Sequence, residues 1–356
     1  MRDDLKVCLA AYAVHVVIFI VPVYAARAVM GAKGLPPPCP LGYVETGQGP
    51  VDWRPLNPLV FYDAVHYLFI AESGYDTVYR TAWFPLYPLL VRLFGGTAAS
   101  AVLVSSAAFL LALLAAHRLG GRVSAWALAL GPLGLLANAV YSESLFLALT
   151  GWALVFLEER KWMGSAALLG LCCLCRPTGW AVWAGAALYL FFFKGRLKIA
   201  FAVCVPAALV GALYPAYLWC RFGDPLAFTA AIGHHGRTFK MPLAGLAGDF
   251  AGLFSRDPFW DVWRGAALFN LFGLFYLAAA ILANPLFSLP YALFVLSAGV
   301  ADGRLPYTHG FLRYAAGFFP WCLYFKEGKA AVWLVFGGAY LGMVVSFMLF
   351  MKLFIF

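Results

Sequence analysis

Long apolar stretches broken at short polar turns set the rhythm of this chain. Runs of low charge extend over residues 5–30, 97–117, 122–139, 144–158, 162–175, 178–194, 198–220, 265–283, 285–300, 310–325 and 330–354. A helix crossing the hydrocarbon core takes roughly 20 mostly apolar residues. The pattern predicts an all-α polytopic membrane protein with about eleven transmembrane helices in one domain over residues 1–356. Two longer stretches, 31–82 and 221–264, are rich in Pro, Gly and aromatic residues rather than in Ser or runs of charge, which predicts structured loops, not linkers. Within the first, Leu59 to Ala71 has helical apolar spacing over too few residues to span, and Trp83 to Phe94 carries Pro85 and Pro88. Both read as helices lying in the membrane interface. The opening run, Leu5 to about Met30, lacks a small-residue cleavage pattern and reads as an uncleaved anchor.

Composition strengthens the membrane reading. The 356 residues are 64% hydrophobic and 12% charged, with mean hydropathy +0.84, whereas soluble domains are about half apolar and about a quarter charged. The net charge of +9 does not point to nucleic acid, because the basic residues fall singly or in small groups at the ends of apolar runs. That distribution is membrane topology. Of the eight cysteines, Cys8, Cys172, Cys173, Cys175, Cys204 and Cys322 lie inside apolar runs and read as core filling. The Cys172-x-x-Cys175 spacing has no second pair or histidine at a ligand distance in sequence. Cys39 and Cys220 alone lie outside or at the edge of a span.

Positive charge beside short loops stays on the cytoplasmic side. With Arg2 and Lys6 inside, alternation through the spans puts Arg118 and Arg122, Arg160 and Lys161, Lys194, Arg196 and Lys198, and Lys326 and Lys329 on that same side. The 31–82 loop, the Tyr141-Ser142-Glu143 turn, the Arg176-Pro177-Thr178 turn, the 221–264 loop and the 302–313 segment then share the opposite face. Ionisable groups at membrane depth are costly and mark sites, so this face is where chemistry is expected.

Asp63 and His66 stand three apart and Asp63 and Tyr67 four apart, which on a helix puts the three on one side. An acid at a helix start also serves as a cap or a dipole partner, and the residue pattern leaves both readings open. Glu143, between Ser142 and Ser144 at a turn, reads first as a cap. Arg176, in Cys175-Arg176-Pro177-Thr178, occupies the polar break between two apolar runs; an arginine there either grips a phosphate in its planar fork or snorkels to head groups. Arg313 lies four residues after His309, so a helix starting at His309 would present both on one face as a second phosphate clamp. His234 and His235, with Arg237 and Lys240, sit in a loop without carboxylates at metal-ligand spacing, which favours contact with lipid or substrate phosphate over a metal. The chain has no Gly-rich phosphate cradle, nucleophile elbow or HExxH. The transferred group is therefore expected on a lipid phosphate, without a cofactor.

Taken together, Phe61-Tyr62-Asp63-Ala64-Val65-His66-Tyr67-Leu68 with the following stretch to Tyr75, and Trp83-Phe84-Pro85-Leu86-Tyr87-Pro88, resemble the Trp-Asp-Ala and Phe-Phe-Pro blocks of the PIG-V family, the GPI mannosyltransferase II enzymes. Tyr141-Ser142-Glu143-Ser144-Leu145-Phe146 and Arg176-Pro177-Thr178-Gly179 are similar to two further blocks in the same order, and the Arg313-Tyr314 segment adds weaker support. The resemblance implies a GT-C glycosyltransferase fold, a dolichyl- or polyprenyl-phosphate mannose donor, inversion at the anomeric carbon and chemistry on the lumenal or extracytoplasmic face. It implies Asp63 as the general base; Arg176, His309 and Arg313 are the candidates for neutralising the departing lipid phosphate, and no metal is required if they suffice. It places the protein in the endoplasmic reticulum membrane of a eukaryote or the cell membrane of a prokaryote. Phe61-Tyr62 stands where the eukaryotic pattern has an Arg-Trp pair, and the chain lacks the extended lumenal loops of longer family members. The expected acceptor is accordingly a lipid-linked or glycolipid species, whether a GPI precursor, another membrane lipid or a surface glycan. A lipid or lipid-linked-sugar transporter would instead show inverted repeats and charges at the bilayer midplane, and a non-catalytic scaffold subunit would retain the fold with Asp63 dispensable.

Overall fold

Burying apolar runs without exposing backbone amides to lipid requires helices, and helices dominate the computed structural model, which describes residues 2–25, 56, 59–193, 197–300 and 306–325. The expected span at 330–354 and residues 31–55 of the 31–82 loop, Cys39 among them, lie outside the described residues. Contacts divide the chain into two units, one comprising Met1–Gly74, Leu86–Ala148 and Phe325–Phe356, the other Tyr75–Pro85 and Leu149–Tyr324. Among the described residues three helices are long and apolar enough to cross a membrane, Asp3–Ala25, Ala98–Ala129 and Leu197–Phe222, and several shorter apolar helices accompany them.

In the first unit, α1 (Arg2–His15) continues through a π-helical turn at Val16–Ile20 and packs against a long helix, Ala98–Ala129. Before that helix come α2 (Asp63–Ser73) and α3 (Leu86–Leu93), packed on each other, so that the long helix is α4. A capping box starts α4: the Thr97 hydroxyl accepts from the Ser100 N–H at 3.1 Å, and the Ser100 hydroxyl accepts from the Thr97 N–H at 2.9 Å. Alanines at 101, 108, 112, 115 and 116 are buried along α4, and small side chains of this kind let helices approach closely in a membrane. At the α1–α4 junction His15 is buried, with Nδ1 2.7 Å from the Ala129 carbonyl and Nε2 2.8 Å from Asn138 Oδ1. The Asn138 amide donates to Tyr12 and Ser106. A satisfied polar node like this fixes the register of two helices that apolar contacts alone would leave free to slide.

The expected break between 117 and 122 is present as Gly121, whose φ of 74° interrupts α4; only a residue without Cβ enters that region cheaply. The expected span at 122–139 is not a single helix. Helix persists to Ala129, and Gly131, Pro132 and Gly134 then turn the chain into a 3-10 segment at Gly134–Ala137. These residues break a helix but leave the run apolar, so hydropathy alone reads it as a span.

Beyond Tyr75–Pro85, the second unit resumes within α5 (Glu143–Glu158), at Leu149, and continues with α6 (Trp162–Cys175), α7 (Gly179–Leu188, prolonged by a π turn at Tyr189–Phe193), α8 (Leu197–Gly211) and α9 (Leu213–Phe222). α10 (Ala227–His234), strand β1 (Arg237–Phe239), α11 (Ala244–Gly252) and α12 (Pro258–Leu271) occupy the stretch read as a loop. α13 (Gly273–Ala283) and α14 (Pro285–Ser297) follow, then β2 (Ala298–Val300), antiparallel to β1 with Arg237 opposite Val300, and α15 (Phe311–Ala316). α6 packs on α8 and α7 on α14. A Cβ at Gly185 would lie 2.0 Å from the Phe287 carbonyl oxygen, so glycine is what allows α7 and α14 to touch. The run at 310–325, expected to span, is a six-residue helix and a 3-10 segment at Phe319–Phe325. Gly317 and Pro320 are the breakers.

Candidate functional site

The first unit brings two of the motif segments side by side. The Val140 N–H donates to the Leu59 carbonyl at 2.9 Å, the Tyr141 hydroxyl donates to the Phe61 carbonyl at 3.0 Å, and the Tyr67 and Ser142 hydroxyls meet at 2.8 Å. Val23, Leu59, Phe61, Leu135, Ala139 and Tyr141 form a common apolar core beneath them. Tyr87 of α3 completes the frame, donating to the Ala101 carbonyl and meeting the Ser105 hydroxyl, which itself donates to the Tyr141 carbonyl. Three direct polar links, buttressed by three more through Tyr87 and Ser105, leave the start of α2 and the start of α5 little freedom to move apart.

Asp63 is the first residue of α2, half-buried, and Tyr62 before it holds φ 45°, ψ −109°. A tyrosine in that region stores about 1–3 kcal/mol of strain, which persists only where surrounding contacts enforce it. No side chain caps this helix end. A carboxylate in the first turn supplies the negative charge that end favours, so the structural reading of Asp63 stands beside the chemical one. Along α2 the buried positions are Ala64, Val65, Tyr67, Leu68, Ile70 and Ala71. Asp63 and His66, three apart and so on one side of the helix, are only partly buried. Tyr67, expected to point with them, joins the buried face instead, because Ser142 and the Tyr87 ring, 5.0 Å away, receive it. Glu143 opens α5 with no exposed surface, flanked by Ser142 and Ser144, equally inaccessible. A fully buried acid at a helix N-terminus exceeds what a surface cap needs.

In the second unit the cations converge on an aromatic ring. Arg176, extended at the end of α6, holds its guanidinium 5.4 Å from the centre of the Tyr314 ring, and Arg237, first residue of β1, holds its own 5.1 Å from the same centre. Among the described residues Arg237 makes no ion pair. Arg313 precedes Tyr314 in α15, whereas His309 lies before the Gly310 that starts this helix. The helical face expected to carry His309 and Arg313 together therefore does not form; a turn closed by the His309 N–H on the Pro306 carbonyl and the Phe311 N–H on the Thr308 carbonyl takes its place. That turn is held by Asp249, a buried acid of α11 whose carboxylate accepts from the Tyr307 N–H at 3.0 Å and the Thr308 N–H at 2.6 Å. The hydroxyls of Thr178 and Thr308, both buried, make no hydrogen bond among the described residues. One adjoins the Arg176-Pro177 turn, the other His309.

His235 and His234 separate. His234, last residue of α10, is exposed. His235 is clasped by Tyr79, ring centres 4.4 Å apart, and by Trp83 at 4.9 Å. The Tyr79 hydroxyl lies 3.4 Å from His235 Nδ1. Among the described residues no group of three metal-capable side chains gathers, and Cys172 and Cys175 are buried in α6. The residue pattern did not single out Asp249 or Tyr79, and it named Tyr314 only beside Arg313 in the resemblance, without a role. Asp249 left a signal, as the lone acid of an apolar helix; the roles of Tyr314 and Tyr79 left none, because a shared ring is a property of tertiary packing.

Two curated relatives align with part of the chain. The GPI alpha-1,6-mannosyltransferase 2 of Rattus norvegicus is 30% identical over 208 residues, covering 48% of this chain and 42% of that protein. The Homo sapiens protein of the same name is 34% identical over 147 residues, covering 35% of this chain and 30% of that protein. These likenesses support the PIG-V-like family. The chain spans less than half the length of these relatives. No family model matches the sequence, and no solved structure matches it. The PIG-V-like reading therefore rests on the relatives and on the residues described above, not on a fold match.

Proposed function

We propose that this chain is an inverting mannosyltransferase, moving mannose from a dolichyl- or polyprenyl-phosphate to a glycolipid or other lipid-linked acceptor on the lumenal or extracytoplasmic face, within a GT-C fold. The observation that carries the reading is the pair of arginines on Tyr314. A phosphodiester-linked sugar donor bears one negative charge, and its leaving lipid phosphate bears two once the C1–O bond breaks. Cations fixed beforehand favour the second state over the first, which is what lowers a barrier. The stacked Tyr314 ring holds the guanidiniums in place without neutralising them. Arg176 and Arg237 are the primary phosphate ligands in this reading. Arg313 and His309 add positive charge or donors from the neighbouring turn, and the partnerless hydroxyls of Thr178 and Thr308 are suited to phosphate oxygens.

Asp63 takes the acceptor hydroxyl proton as that oxygen forms its bond to C1. His66, on the same stripe of α2, assists in orienting the acceptor, and Glu143, buried in the same unit, keeps the frame around α2 charged or hydrogen-bonded. His234 and His235 belong to the acceptor side. The two relatives are GPI alpha-1,6-mannosyltransferases, and a GPI precursor is accordingly the first acceptor to try.

The test is transfer of labelled mannose from dolichyl-phosphate mannose to a panel of lipid acceptors by the purified protein. Asp63→Asn is expected to lose about 10²–10⁴-fold, the range for a general base, while migrating on gel filtration as wild type. Equal activity of the two proteins moves the base to Glu143. Absence of transfer from every lipid-phosphate donor overturns the enzyme reading in favour of a transporter or scaffold.

A further inference from the structure

The 75–85 segment has more structure than a connection requires. It closes on itself through the Tyr75 hydroxyl, which donates to the Trp83 carbonyl at 2.6 Å, and is pinned by the Tyr214 hydroxyl, which donates to the Thr81 carbonyl at 2.7 Å. Tyr75 and Phe84 pack on Tyr214, and Phe84 on Phe228. A 3-10 turn at Val78–Ala82 lies along α10. One edge of this strap stays open. Tyr79 remains 42% exposed although His235 and Trp83 pack on it. Asp76 and Thr77 are exposed beside it, with the Thr77 hydroxyl donating to Asp76 at 3.2 Å and Arg80 forming an ion pair with the same carboxylate. His234, next in sequence to the His235 that packs on Tyr79, is exposed as well.

We propose that this edge is a carbohydrate-binding face, with Tyr79 as the stacking platform and Asp76, Arg80 and His234 as partners for hydroxyl groups, and that it holds the sugar head of the acceptor. The chemistry is specific. A pyranose presents an apolar C–H face and a rim of hydroxyls that both donate and accept. An immobilised aromatic ring matches the first, and a carboxylate next to a guanidinium matches the second, one accepting and the other donating. Pockets for polar ligands combine these two kinds of group. Tyr79 is suited because Trp83 and His235 already fix its orientation, so little rotamer entropy is lost on binding. A membrane-facing aromatic belt would account for Tyr79 and Trp83 alone, but an exposed acid and its ion pair at the same edge favour a polar ligand. Assignment of that ligand as the acceptor rests on the proposed transfer; the binding itself does not.

The test separates the two. Saturation-transfer-difference NMR with octyl α-mannopyranoside, on the full chain in nanodiscs, reads which ligand protons touch the protein. Expected are strong effects on the sugar-ring protons, reduced at least about fivefold in Tyr79→Ala, retained in Tyr79→Phe and weakened in Asp76→Asn, which leaves the aromatic packing intact and covers the case of a poorly folding alanine variant. Ring-proton effects that survive both Tyr79→Ala and Asp76→Asn overturn the proposal, and so do effects confined to the octyl chain, which assign Tyr79 to the membrane interface. Ring contact in a protein that transfers no mannose sinks the reaction and leaves the site standing. In an active protein, Tyr79→Ala is expected to raise the acceptor KM about tenfold with kcat nearly unchanged, the signature of uniform binding lost; unchanged acceptor KM removes the acceptor assignment.

Discussion

At the scale of residues, the arginine pair makes the sharpest prediction. Arg237 has an aromatic seat and no ion pair among the described residues, so its charge is available to an anion. Arg237→Ala is expected to lower kcat/KM about 10²–10³-fold, the usual loss when a preorganised donor to developing charge is removed. Arg237→Lys should recover only part of it, because an ammonium neither stacks on Tyr314 nor forks onto two oxygens. Steady-state kinetics on the three proteins checks both; full activity of the alanine variant removes Arg237 from the phosphate site. Asp76 supplies a pH prediction. Burial pulls its carboxyl upward, but the Arg80 hydrogen bond and charge, with backbone N–H groups, outweigh that and hold it below the usual carboxylate range. Such a group contributes stability that is present above its unfolded value and lost as pH falls through the lower folded one. Sugar-ring contacts at the strap should therefore persist as pH falls through the usual carboxylate range and weaken only at more acidic pH, and Asp76→Asn should abolish that acid limb in the same NMR titration. At this scale the sequence made Asp63, Arg176 and Glu143 visible, since an ionisable group in an apolar run is conspicuous. It hid Tyr79, the seat that Tyr314 gives two arginines and the burial of Tyr67, because one more aromatic among many carries no mark until its neighbours are known.

At the scale of elements, helices bounded by charge or by a proline were legible almost to the residue: Trp162–Cys175 follows Lys161 and ends before Arg176-Pro177. Apolar runs containing their own breakers were not. Residues 122–139 and 310–325 are as hydrophobic as the true helices, and whether such a run becomes a span or a buried turn depends on Gly131, Pro132, Gly134, Gly317 and Pro320, whose effect hydropathy averages away. Gly185 shows the same limit from the other side. In an isolated helix, glycine to alanine stabilises by about 1 kcal/mol, but here the added Cβ would stand 2.0 Å from the Phe287 carbonyl oxygen, and the backbone cannot retreat as a flexible side chain would. Overpacking costs about 1–3 kcal/mol, so the contact wins. Gly185→Ala should lower the thermal unfolding midpoint in detergent; a rise would mean that α7 and α14 do not meet at that point.

At the scale of the whole molecule, the remaining question is which side of the membrane holds the chemistry, and charge gives the answer to test. The net charge of +9 gathers at short turns such as Arg160-Lys161, and alternation from an inside N-terminus puts those turns in the cytoplasm. The same alternation puts the end of α9, and with it the stretch bearing His235 and Arg237, on the opposite side. Cys220 is exposed there, while Cys8, Cys172, Cys173, Cys175, Cys204 and Cys322 are buried. With Cys39 replaced by serine, a membrane-impermeant maleimide added to intact cells or spheroplasts, or to the lumenal side of sealed vesicles, should modify Cys220 without permeabilisation. A cysteine placed at Glu159, beside the basic turn, should react only after permeabilisation. The reverse pattern would invert the molecule, put Arg237 in the cytoplasm and remove the requirement for a flipped lipid-linked donor. Labelling of both sites from one side would show that the number of crossings between them is even, and would overturn the alternation on which the sidedness of Arg237 rests.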